Sequence, residues 1–188
     1  MKRLVVGITG ASGVSLGIRL LQVVRQAQLA ETHVIISAAA KATIVQETDW
    51  KVSDVAALAD AVYDARDVGA AIASGSFVTA GMVIIPCSIK TLSAVANSYS
   101  AELISRAADV TLKEGRPLAL VVRETPLHLG HLRLMERAAE MGAVILPPMP
   151  AFYAHPQTMD DVVDNIVGRV LLRLGIENEL YLKWAGMK

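Results

Sequence analysis

An α/β fold built on a parallel sheet follows from three features of this chain. Short apolar runs alternate with helix-length amphipathic segments along its whole length. Several of these runs are apolar at consecutive positions, as expected for strands covered by helices on both faces. The first run enters a turn of small residues, Gly10-Ala11-Ser12-Gly13, that opens directly into a helix.

The first strand is expected over Leu4 to Thr9 and the first helix over Gly13 to Gln28. Gly10 and Gly13 let the backbone bend and approach a ligand, and Ser12 is placed to cap the helix. Unpaired amides and the positive end of the helix dipole then make an anion site suited to phosphate. The same glycines equally suit the tight strand-to-helix packing of any doubly wound domain. The spacing Gly7-x-x-Gly10-x-x-Gly13 also fits a nicotinamide dinucleotide, whose site carries Asp or Glu about 20 residues on, at the end of the second strand. Here that strand, Thr32 to Ile36, ends in Ser37-Ala38-Ala39-Ala40. Flavin mononucleotide (FMN), which has no second ribose, fits the missing acid better.

Lys41 to Glu47 reads as the next helix, and Glu47-Thr48-Asp49 at its end serves either simple solvation or acid-base chemistry. A short strand at Ala61 to Tyr63 precedes a longer one at Met82 to Pro86. The junction Pro86-Cys87-Ser88-Ile89-Lys90-Thr91 opens a helix to Ala96, with Ser88 as a second cap offering amides to a ligand. On the helix Glu102 to Glu114, Arg106 and Lys113 are seven apart and share a face, where they can meet one anion or pair with Asp109 and Glu114 in solvent. The strand Leu118 to Val122 runs into Arg123-Glu124-Thr125-Pro126, which puts an arginine and a carboxylate at the carboxyl edge of the sheet, where such folds bind ligands. A helix at Gly130 to Met141 and a strand at Ala143 to Leu146 follow. The stiff Pro147-Pro148-Met149-Pro150 then delivers Phe152 and Tyr153 to the same edge. Thr158 and Asp161 form a capping-box-like start to the last long helix, which runs to Gly175. Residues 1–188 are expected to form a single domain, with 177–188 as a short lid helix.

Composition narrows the function. Lys plus Arg and Asp plus Glu number 18 each, so no overall field attracts nucleic acid or an anionic membrane. With 53% apolar residues and a mean hydropathy of +0.44, some apolar surface is expected to close against other copies of the chain. The single cysteine, Cys87, excludes an internal disulfide and fits a reducing cytoplasm. It follows an apolar strand with no histidine or second thiol nearby in sequence, which marks a packed core residue rather than a nucleophile. Val68 to Ile89 is uncharged and long enough to span a bilayer, yet Ser74, Gly75, Ser76, Thr79, Gly81 and Pro86 make it a loop and strand instead. His128 and His131 lack an acidic or thiol ligand to complete a metal site, so no metal is expected.

Taken in order, Thr9-Gly10-Ala11-Ser12-Gly13, Glu47-Thr48-Asp49, Ser74-Gly75-Ser76-Phe77, Pro86-Cys87-Ser88, Arg106-Ala107-Ala108-Asp109, Leu112-Lys113-Glu114, Arg123-Glu124-Thr125-Pro126-Leu127-His128 and Pro150-Ala151-Phe152-Tyr153 resemble the flavin prenyltransferase family. These UbiX-like enzymes attach an isoprene unit to reduced FMN, and the resemblance covers nearly the whole chain. It implies a Rossmann-like three-layer sandwich of strand order 3-2-1-4-5-6 and a dodecamer with active sites between subunits. It places flavin at Gly10, Ala11, Ser12, Ser37, Ser88, Ile89, Lys90, Thr91 and Arg123. Dimethylallyl phosphate would be held by Tyr153 and Arg169, with Lys113, Arg106, Arg123 and Glu124 completing a phosphate cage. Ser12, Glu47 and the released phosphate are the implied proton relays, and a downstream decarboxylase would use the prenylated product. Leu16, Ala38, Glu102 and Gly115 depart from the family's common Tyr, Lys, Asn and Arg. Two other readings compete: an FMN carrier without chemistry of its own, and an FMN-dependent decarboxylase.

Overall fold

In the computed structural model, which describes residues 1–184 and 186, six parallel strands form one sheet. The chain runs β1 (Arg3–Ile8), α1 (Val14–Gln26), β2 (Glu31–Ile36), α2 (Ala38–Glu47), α3 (Val52–Ala56), β3 (Ala61–Tyr63), β4 (Gly81–Cys87), α4 (Ile89–Ala96), α5 (Leu103–Lys113), β5 (Leu118–Val122), α6 (Leu129–Glu140), β6 (Val144–Ile145) and α7 (Met159–Arg173). The order β3-β2-β1-β4-β5-β6 is that of a Rossmann-like α/β sandwich. β1 pairs with β2 from Arg3↔Glu31 to Ile8↔Ile36 and with β4 from Leu4↔Gly81 to Gly7↔Ile84, so the chain reverses its direction of winding between β1 and β4.

Alternation along the strands feeds two apolar layers. Leu4, Val6, Ile8, Val83, Ile85 and Val121 pack with α1, α2 and α7. Val5, Met82, Ile84, Leu120 and Val122 pack with α4, α5 and α6. β4 is buried at every residue, which explains its unbroken apolar run. α1 lies so close on β4 that a methyl at Gly17 would sit 2.6 Å from the Ile85 carbonyl.

The structure departs from expectation at three elements. α2 begins at Ala38 rather than Lys41, because the Ser37 side chain accepts the Ala40 N–H at 3.1 Å and fixes the first turn. α3 is a further short helix between α2 and β3. The lid helix expected over 177–188 is absent from 177–184, while 185, 187 and 188 lie outside the described residues. α7 closes at Gly175, whose φ of +70° suits glycine. Beyond it, Asn178 Nδ2 donates to the Gly168 carbonyl at 3.0 Å and Asn178 Oδ1 accepts the Leu180 N–H at 3.1 Å, which folds the tail back as a non-helical strap. Gly115 also finds its reason here. At φ +64° it closes α5, and the Gly115 and Arg116 amides bond to the Leu112 and Thr111 carbonyls.

Candidate active site

The carboxyl ends of β1, β2, β4 and β5 are followed at once by Gly10 to Ser12, Ser37, Ser88 and Arg123, so the expected flavin residues share one edge of the sheet. The crevice between β1 and β4 is closed at its base by Thr9. Its buried hydroxyl donates to the Pro86 carbonyl at 2.7 Å and accepts the Ser88 N–H at 2.9 Å. Ser88 in turn caps α4, accepting the Thr91 N–H at 3.4 Å, with the Thr91 hydroxyl 3.2 Å away. A methyl on Gly10 would be driven into Ala39, so only glycine lets this loop lie against the first turn of α2. Lys90 turns outward and pairs with Glu102 at 2.6 Å, and the Ser105 hydroxyl accepts the Glu102 N–H at 3.4 Å at the start of α5. Leu16, where the family commonly has tyrosine, is a core residue.

The start of α1 is not the open anion site that the glycine pattern suggests. Gly13, at φ +96°, is the N-cap, and Ser12 does not cap the helix. The free amides are taken by a side chain from 34 residues away. Glu47 Oε2 accepts the Gly13 N–H at 2.8 Å and the Val14 N–H at 3.4 Å. Burial opposes the charge on Glu47, but hydrogen bonds from the Ser12 hydroxyl and the Gly13 and Val14 amides, with the Arg123 charge, outweigh it. Its carboxyl is therefore held below the usual carboxylate range. Ser12 and Glu47, from separate segments, thus meet at this edge, with the Arg123 charge near enough to favour the carboxylate.

The cationic residues divide into two groups. Arg106 pairs with Asp109 at 3.1 Å and Lys113 with Glu114 at 2.6 Å, both on the surface of α5. α5 leads into β5, so Lys113 lies by the amino edge of the sheet. Arg123 lies at the other edge, beyond the 5 residues of β5, a separation of about 17 Å at ~3.3 Å per residue. Tyr153 and Arg169 sit on the opposite layer with α7, against the strap. The Tyr153 hydroxyl is 3.0 Å from the Tyr181 hydroxyl and 3.3 Å from the Leu182 carbonyl, and its ring meets Trp184 edge-on at 5.4 Å. The Tyr181 hydrogen bond and burial push the Tyr153 phenol up. Among the described residues Arg123 and Arg169 have no carboxylate partner within 4.0 Å. Glu124 accepts the neighbouring Thr125 N–H at 2.9 Å. One chain therefore places Ser12, Glu47 and Arg123 along one edge but does not bring Lys113 and Arg169 together.

Sequence reasoning did not identify Thr9 as a clasp or Tyr181 as the partner of Tyr153. A threonine closing a buried strand was the available signal for the first, and no local pattern marked the second. Cys87 is fully buried, and burial pushes its thiol up to about 12, which makes it an inert core residue. His128 caps α6 by accepting the Gly130 N–H at 3.0 Å, and its ring lies 3.6 Å from that of His131. Among the described residues no three His, Cys, Asp or Glu side chains are grouped to hold a metal, and no helix is long and apolar enough to cross a membrane.

The profile of the family described as Flavoprotein matches residues 1–171. The chain belongs to the Flavoprotein family, in its UbiX-like branch. It is 58% identical over 188 residues to the flavin prenyltransferase UbiX of Salmonella typhimurium, covering 99% of this chain and 100% of that relative. Among solved structures it superposes with a TM-score of 0.96 on AnUbiX (PadA1) in complex with FMN and dimethylallyl pyrophosphate, at 46% identity over 100% of this chain and 99% of that one. A dodecameric FMN-dependent UbiX-like decarboxylase from Escherichia coli O157:H7 gives a TM-score of 0.95 at 50% identity, over 98% of this chain and 100% of that one. Within this UbiX-like chain, Ser12, Glu47 and Arg123 lie at the edge where the family's cofactor chemistry is expected.

Proposed function

We propose that this protein is a flavin prenyltransferase that joins a dimethylallyl group from dimethylallyl phosphate to N5 and C6 of reduced FMN. The placement of Ser12, Glu47 and Arg123 along one carboxyl edge of the sheet, beside the β1/β4 switch point, carries this reading. The site fits FMN chemically: the serine caps at Ser37 and Ser88 and the unpaired Arg123 suit one phosphate, and β2 ends without the acid a second ribose would need. Reduced FMN supplies an electron-rich N5 and the adjacent aromatic C6. In the overall change the donor's C–O bond breaks and phosphate leaves with the electron pair; the freed carbon bonds to N5, which loses its proton, and the donor's C=C π bond takes up a proton at one carbon and bonds to C6 at the other, while C6 loses its proton.

The residues of this chain share that work. Arg106, Lys113, Arg123 and Arg169 neutralise the charge that grows on the departing phosphate, with Tyr153 and Glu124 completing the cage. Each charge-assisted hydrogen bond contributes about 1.5 to 3 kcal/mol, and each ~1.4 kcal/mol off the barrier is about tenfold in rate. Four cations can therefore replace a metal ion in this role. Ser12 and Glu47 relay the C6 proton, with Glu47 as the ionised acceptor to which the Ser12 hydroxyl is hydrogen-bonded.

Because Lys113 and Arg169 belong to different layers, the cage closes between copies. Large apolar side chains left exposed, including Val78, Tyr99, Leu129 and Phe152, support a homo-oligomer. We take that oligomer to be a dodecamer, as in the Escherichia coli O157:H7 relative. The product is prenylated FMN for a partner decarboxylase, made in the cytoplasm by a single 1–188 domain. Incubation with reduced FMN and dimethylallyl phosphate tests the reading: the flavin gains one prenyl mass if it holds, and emerges unchanged from a mere carrier.

A further inference from the structure

We infer that Tyr181 is a positioning residue for the donor phosphate, fixing the Tyr153 hydroxyl with its own hydroxyl and seating the Arg169 guanidinium on its ring. The inference deepens the prenyltransferase reading and rests on it. Three segments supply the cluster: the turn Phe152–Ala154, helix α7 and the strap after Gly175. Tyr153, Arg169 and Tyr181 line one open cavity of about 360 Å³, together with Ile145, Pro147 and Met149. The two hydroxyls are 3.0 Å apart, and the Arg169 Cζ lies 5.2 Å from the centre of the Tyr181 ring.

This geometry does for an anion what neither partner does alone. When Tyr181 donates to Tyr153, the Tyr153 proton is left for the Leu182 carbonyl at 3.3 Å or, in its place, a phosphate oxygen. Stacking on an aromatic face holds a guanidinium still while leaving its N–H edges free, the arrangement that binds phosphate bidentately. Tyr181 thus orders two flexible phosphate-binding side chains before the donor arrives. Tyr181 belongs to neither apolar core layer, so its place here is not explained by packing the sheet.

The test is a double-mutant cycle on the full-length protein, read by prenylation of reduced FMN. Y181F keeps the ring under Arg169 and removes only the hydroxyl. It is expected to raise the KM for dimethylallyl phosphate about fivefold while kcat and FMN affinity stay within about twofold. Y181A, which also removes the ring, is expected to raise that KM further. Because Tyr181 acts through Tyr153, Y153F/Y181F should be no worse than Y153F alone. Wild-type kinetics in Y181F, a loss confined to FMN affinity, or effects of Y153F and Y181F that multiply would each overturn the inference while leaving the prenyltransferase reading intact. A wild-type protein that yields no prenylated flavin would overturn that reading and this inference with it.

Discussion

Glu47 Oε2 accepts the Gly13 N–H at 2.8 Å, so a carboxylate from the end of one helix caps the start of another. The bond satisfies donors that would otherwise be orphaned and ties α2 to the loop after β1. It also fixes the carboxylate beside Ser12 and Arg123.

The E47Q variant is expected to lose about 1 kcal/mol of stability, the usual scale for removing a cap, and most prenylation activity. Its pH dependence has a definite sign. The folded pKa of Glu47 lies below the unfolded value, so its contribution is complete above the ordinary carboxylate range and falls away as pH drops through the folded value. Urea melts of wild type and E47Q should therefore differ at neutral pH and converge in acid. A gap that widens in acid is the adverse result.

Thr9 presents a buried hydroxyl to the Pro86 carbonyl and the Ser88 N–H. T9V keeps the shape and leaves the Ser88 N–H unpaired, at a cost of about 1 to 3 kcal/mol, while the Pro86 carbonyl keeps its bond from the residue 9 N–H at 3.3 Å. Denaturant midpoints should fall, and FMN titration should show weakened binding, because Ser88 loses its anchor. Unchanged FMN affinity would separate the clasp from the ligand site.

Lys113 and Arg169 belong to different layers of one chain, so variants blank at either position should complement each other. K113M and R169M are each expected to be inactive. Dissociated, mixed in equal amounts and reassembled, they should regain about a quarter of wild-type activity, the fraction of sites that draw both intact residues from the two pools. Persistent inactivity of a properly assembled mixture would be falsifying evidence against shared sites.

Cys87 is buried and its thiol is raised to about 12, so almost no thiolate exists at pH 8. Native protein should resist iodoacetamide at that pH, and unfolded protein should react readily. Mass spectrometry counts the adducts directly.

Much of this architecture was legible in the sequence, for reasons that differ by element. β4 was visible because burial on both faces demands an unbroken apolar run, and α7 because Thr158 and Asp161 cap it as their spacing implies. The shared edge of the expected flavin residues was legible because the end of a strand fixes where the next residue sits, which places Ser37, Ser88 and Arg123 along one edge once the strands are known. The occupant of the α1 N-terminus was not. Glycines there admit a phosphate and a distant carboxylate alike, and local spacing carries no trace of Glu47 folding back across 34 residues. Tyr181 was hidden for the same reason, since its contact with Tyr153 spans 28 residues of turn, helix and strap.

One side-chain oxygen at position 9 stitches the backbone of β4 to the end of β1, at the place where the sheet changes its direction of winding. Splaying these strands would break two buried hydrogen bonds together, so the floor of this crevice resists shear and opening.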